Sequence, residues 1–132
     1  DRLLASASIE QYLDEGLVSA RTLTDYLFDR MEAHGLKRAD VVRASGLNAT
    51  VVYDIFSGKS RPGRDHAIML AFGLKCTLRE TQRLLRLAGV SELWCKQRRD
   101  AIIIWCIRNG FDRIATDDEL YRMGEATLLP AD

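Results

Sequence analysis

Two prolines in 132 residues, and no stretch rich in serine, glycine and proline, exclude a long linker between separate domains. Long apolar runs are missing too. The longest, Ala101 to Ile107, is far short of the ~20 residues a membrane span needs, and Leu3-Leu4-Ala5 is too brief for a secretory core. The expectation is a cytoplasmic protein without membrane contact. Three cysteines, Cys76, Cys95 and Cys106, are odd in number and lack the close pairing of zinc sites, and His34 and His66 stand far from them. They read as structural thiols of a reducing compartment, with no metal. Catalytic sets are equally lacking. Asp25 with Asp29, Asp65 beside His66, and Asp117-Asp118-Glu119 supply no nucleophile, base and orienter, and no glycine-rich loop follows a strand. These acids read as solvated helix charges and caps, so neither an enzyme nor a cofactor is expected.

What the chain does have is helix punctuation. Thr22-x-x-Asp25, Thr77-x-x-Glu80 and Thr116-x-x-Glu119 each set a capping hydroxyl three residues before an acid that complements the helix dipole. Gly35, Gly46, Gly58, Gly73, Gly89, Gly110 and Gly124 follow apolar-periodic segments, where a residue able to take positive φ ends a helix. Helices are predicted over roughly 8–15, 22–34, 38–45, 49–57, 63–73, 78–88, 97–109 and 117–123. The fold class is therefore all-α, with a core supplied by 47% hydrophobic residues. Ile102-Ile103-Ile104-Trp105 also suits a buried strand, but no second comparable strand exists to pair with it.

Charge is balanced overall yet unevenly placed: residues 1–35, 36–66 and 67–132 carry net −4, +3 and +1. A basic centre in a neutral chain suits a surface that faces a polyanion, although ordinary solvated surfaces reach the same excess. Within that centre, Ala39, Val42, Gly46, Leu47, Val52 and Ile55 fall at helix-turn-helix spacing. Ala39 and Val42 belong to the first helix, Gly46 permits the tight turn, Leu47 plugs its interior, and Val52 and Ile55 anchor the second helix. Gly58, Pro62, Ile68, Ala71 and Leu74 continue the register into the following helix, which closes the core, and its flanks.

This register, with "FSGKSRP" after the second helix, resembles the lambda-repressor and Cro type of helix-turn-helix, the XRE family, over residues ~22 to 75. The resemblance implies a lambda-repressor-like DNA-binding domain with an α-helical C-terminal extension. It makes 38–45 the positioning helix and 49–57 the recognition helix. Where the family commonly has a bracing Gln, this chain has Arg38, which suits a phosphate better. The outward recognition positions become Asn48, Ala49, Thr50, Tyr53 and Asp54, and from Ala49 to Ser57 there is no Arg, Lys, Gln or Asn.

Three modes follow from that lack. Ala49 and the Thr50 methyl can meet thymine methyls while Asn48 or Tyr53 supplies a hydrogen bond. Alternatively Lys37, Arg38, Arg43, Lys59, Arg61 and Arg64 carry affinity through phosphates, with DNA shape setting the preference, and Arg43 is the weakest of the six by helical phase. In the third mode the module has lost DNA and docks proteins, as an adaptor or antitoxin-like partner would.

The chain divides into an amino-terminal helical segment (1–21), the helix-turn-helix domain (22–75) and the extension (76–132). An echo of "VVRASGLN" in "LLRLAGVS" reflects how helices end and begin, not a repeat. Ala101 to Ile107 reads as apolar around its whole circumference, which requires burial on most sides, inside the extension or against a second copy. Trp94, Ile103 and Ile107 are the dimerisation candidates for a homodimer on double-stranded DNA.

Overall fold

The computed structural model describes residues 22–130. Seven helices occur among them: α1 (22–33), α2 (Arg38–Ser45), α3 (Ala49–Phe56), α4 (Arg64–Gly73), α5 (Leu78–Leu87), α6 (Arg98–Arg108) and α7 (Arg113–Arg122). No strand occurs among the described residues, and Ile102 to Trp105 lie inside α6. The helix predicted over 8–15 lies outside the described residues, and residue 22 is already helical. None of the helices is long and apolar enough to cross a membrane.

Local chemistry explains most of the boundaries. The Asn48 carboxamide oxygen accepts the Thr50 and Val51 amides at 2.7 and 3.3 Å and starts α3. In α5 the Thr77 hydroxyl accepts the Glu80 amide, and the Glu80 carboxylate accepts the Thr77 amide, a reciprocal box closed at 3.2 and 2.9 Å. The start predicted at Thr116 is wrong by a turn. Asp112 caps α7 through the Ala115 amide at 2.8 Å, and Thr116 is a buried interior residue whose hydroxyl donates to the Asp112 carbonyl. "DRIATDDE" holds two cap candidates, and the earlier one adds a helical turn.

The glycines divide by role. Gly46 has φ 80, and a Cβ there would meet the Arg113 Nε at 2.6 Å, so the turn between α2 and α3 needs glycine for both backbone and space. Gly73 ends α4 where predicted, but not by taking positive φ. It is the last residue of the helix, where an added Cβ would lie 2.9 Å from both the Ser45 Cβ and the Val41 carbonyl, and the left-handed position passes to Lys75 at φ 58. Its missing side chain lets α4 press against α2.

α4 is the central helix, touching α2, α5 and α7. Ala67, Ile68, Met69, Leu70 and Ala71 are all buried, and each of the larger ones contributes roughly 1.5–3 kcal/mol by leaving water. The apolar run of α6, expected to be buried on most sides, is covered except at Trp105, with Ala101, Ile102, Ile104 and Ile107 half-buried. Ile103 and Cys106 are buried beneath it while Trp105 is 53% exposed. On α2 the inward residues are Val41 and Ser45, one helical turn apart, with Val42 half-buried; Ala39 is exposed and lies outside the core. Leu47, Val52 and Ile55 are buried as predicted.

Leu84, Leu85, Ile103, Leu120 and Leu128 join the same hydrophobic cluster as Leu27, Val52 and Ile68, so the core runs without a break across the 75/76 division. Crossed ion pairs fasten the two parts. Arg64 of α4 grips Asp100 of α6 at 2.7 and 3.1 Å, and neighbouring Asp65 is gripped by Arg99 at 3.0 and 3.1 Å. Asp117, read as a solvated charge, is buried. It accepts Arg113 at 2.7 Å and the Leu128 and Leu129 amides at 2.6 and 3.2 Å, which lays the C-terminal tail along α7.

Candidate nucleic-acid interface

Capping by Asn48 and anchoring by Val52, Ile55 and Phe56 fix the rotation of α3, so its opposite face points outward. Asn48, Ala49, Thr50 and Tyr53 are exposed there; Asp54 is half-buried. The Asn48 oxygen is occupied by the cap, which leaves its NH2 group as the polar end able to meet a base.

Arg38 and Tyr53 come together across the pair of helices: the guanidinium carbon stands 5.1 Å from the ring centroid. Arg38 had been read as better suited to a phosphate than to a brace, yet here it also braces, by stacking on a residue fifteen positions away. Beside it, the Lys37 amide donates to the Asp40 carboxylate at 2.9 Å, and the same carboxylate takes Arg43 at 2.6 Å. The Lys37 amide, foremost, and Arg43 hold the Asp40 carboxyl below its ordinary range. Arg43 is exposed but already has this acid as its partner.

After α3 the chain doubles back. The Lys59 and Ser60 amides both donate to the Asp54 carbonyl, at 2.9 and 3.2 Å, with Gly58 at φ 81 making the bend and Pro62 buried behind it. Lys59 is therefore exposed beside the last turn of α3. Arg61 is exposed, but its guanidinium donates to the Leu87 carbonyl at 3.1 Å, at the negative end of α5.

Arg64 has to leave the phosphate set. Besides the two bonds to Asp100, it donates to the Ser91 carbonyl at 3.0 Å and the Glu92 carbonyl at 2.9 Å, so its fork is aimed inward at α6 and the loop before it. The sequence signal, a cation shortly after α3, is identical for Lys59, Arg61 and Arg64; the positions of the Leu87 carbonyl and of Asp100 separate them. The dimerisation candidates divide in the same way. Ile103 is fully buried and cannot meet a second chain, Ile107 is half-buried in a cleft with Phe72 and Phe111, and Trp94 is 63% exposed.

Other chemistry is sparse. Cys76 is pushed up to about 12, mainly by burial and then by the Glu80 charge, so its thiol stays protonated. Cys95 is exposed and Cys106 buried, and both are free. Among the described residues no three His, Cys, Asp or Glu side chains gather as a metal site. Sequence reasoning missed Arg113, which lies on the Gly46 turn and thereby sets α7 against the joint between α2 and α3. Compared with known proteins, the chain matches no family model, no curated protein and no solved structure.

Proposed function

We propose that the protein is a DNA-binding transcriptional regulator of the XRE helix-turn-helix type, with α3 entering the major groove. The observation that carries this reading is the outward face of α3: Ala49, Thr50 and Tyr53 stay exposed alongside the whole extension, and Arg38 is stacked on Tyr53 at their edge. Ala49 and the Thr50 methyl offer apolar contact to thymine methyls, and the Tyr53 hydroxyl or the Asn48 NH2 offers one hydrogen bond. Lys37, Arg38 and Lys59 supply phosphate contacts, with Arg61 adding whatever part of its guanidinium Leu87 does not hold.

A second reading is favoured by one feature. α3 carries no Arg, Lys, Gln or Asn, as a helix that docks a protein partner would not need them. In that reading the molecule is an adaptor or antitoxin-like module that no longer meets DNA. Selection from a random duplex library with the full chain separates the two. The regulator enriches a common motif containing A·T pairs at the α3 contacts; a docking module enriches none and retains no duplex at low salt.

A further inference from the structure

Between the α4–α5 turn and the α6–α7 turn lies a cleft of about 330 Å3, within the size range of small-molecule sites. Phe72, Ile107 and Phe111 give it apolar walls, and the Cys76 thiol beside them is kept protonated by burial. Lys75 on one turn and Asp112 on the other complete the lining. Both charged residues are exposed while the apolar ones are half-buried, so the charges stand toward the mouth and the rings deeper in.

Lys75 holds its place under strain. Its φ is 58, and among the described residues it is the only non-glycine with positive φ, whereas six glycines take that conformation. Glycine would turn the chain here without strain. A side chain kept where glycine would serve better points to work done by that side chain. No carboxylate or carbonyl among the described residues accepts the Lys75 ammonium, and no ion pair joins it to Asp112. Asp112 is half engaged: Oδ1 accepts the Ala115 amide at 2.8 Å to cap α7, and Oδ2 has no partner among the described residues.

An occupant that satisfies all of these groups needs an apolar body for the walls, an anion for Lys75 and a cation for Asp112. A ligand with an anion alone would also meet the Asp112 carboxylate, and one with a cation alone would also meet the Lys75 ammonium. We propose that the cleft binds a free α-amino acid with an apolar side chain, its carboxylate on Lys75, its ammonium on Asp112 and its side chain among Phe72, Ile107 and Phe111. The flexible Lys75 stem follows the carboxylate, while Asp112, fixed by its cap, positions the ammonium. Nothing in this recognition involves α3 or DNA.

Isothermal titration calorimetry of the full chain tests the proposal, with L-leucine, L-methionine and L-phenylalanine as ligands, and with 3-phenylpropionate and phenethylamine as probes that each lack one charge of phenylalanine. At least one of the amino acids should bind with a dissociation constant on the order of 0.1 mM, and phenylalanine should bind at least about tenfold more tightly than either single-charge probe. Lys75→Gly removes the cation and relieves the strain, so it should melt no lower than the parent. Asp112→Asn keeps the capping oxygen and removes the charge. Each variant should weaken amino-acid binding at least about tenfold. No binding of any of the three amino acids up to about 10 mM overturns the proposal. So does binding that is unchanged in either variant, or a single-charge probe that binds as tightly as phenylalanine.

Discussion

Arg38 and Arg64 are both cations of the basic centre, and their surroundings give them different work. Arg38 lies over Tyr53 on the exposed side, whereas Arg64 closes four hydrogen bonds against Asp100, Ser91 and Glu92. Arg38→Ala should lower the salt slope of DNA binding by about one unit and, by freeing the Tyr53 ring, blur sequence preference as well. Tyr53→Phe keeps the stack and removes the hydroxyl; a lost base contact there costs ~1–3 kcal/mol at one base pair, readable by competition between site variants. Arg64→Ala leaves the buried Asp100 carboxylate without its cation, and should cost about 3 kcal/mol in denaturant melts while leaving the salt slope unchanged. A changed slope with unchanged stability would return Arg64 to the phosphate set. Phosphate contact by Arg38 and base contact by Tyr53 were expected from the sequence, but the stack between them and the inward turn of Arg64 were not legible, because each depends on a partner fifteen to thirty-six positions away.

Elements were more legible than their neighbours. The α2–turn–α3 unit is recorded locally: Gly46 for the turn, Leu47 inside it, Asn48 as cap, and Val52 and Ile55 below. Which residues of α2 face inward was not legible, since Ala39 and Val42 fit helical spacing as well as Val41 and Ser45 do, and only contact with α4 decides. Gly73 was legible as a glycine after a periodic run but not as a packing residue, for the same reason. Gly73→Ala adds no backbone strain, yet it crowds Ser45 and Val41, and should cost about 1–3 kcal/mol in a thermal or denaturant melt. If Gly73→Ala is as stable as the parent, α2 and α4 have slack there. Which side of α6 lies deepest was not legible, because seven apolar residues in succession describe a helix's composition, while α7 and α5 determine which side is covered.

Across the described residues, a continuous hydrophobic core joins α2 and α3 to the segments around them, and several long-range ion pairs tie α1 and α4 to α5 and α6. Glu80 is the clearest such tie: Arg30 of α1 donates to its carboxylate, His34 Nε2 lies 3.4 Å away, and the Tyr26 hydroxyl donates to its carbonyl at 3.4 Å. Burial pushes the Glu80 carboxyl up, but the Thr77 amide, His34 and Arg30 together hold it below its ordinary 4.5. A lowered folded value means that this tie contributes above the ordinary carboxylate range and is lost as pH falls through the lowered value. Melting temperatures of the parent and Glu80→Gln should therefore differ most near neutral pH and converge in acid. A gap independent of pH would mean that the carboxylate's charge does not hold α1 to α5.

The reading of α3 as a DNA-facing helix is tested most directly by titrating a labelled duplex carrying the selected motif with the full chain, at several salt concentrations. Three phosphate contacts, from Lys37, Arg38 and Lys59, predict that log K falls with log salt at a slope of about −3, and that the motif is preferred over a scrambled duplex at every salt. No binding at about 50 mM salt, or binding with neither salt slope nor preference for the motif, would contradict it and leave the exposed face of α3 to a protein partner.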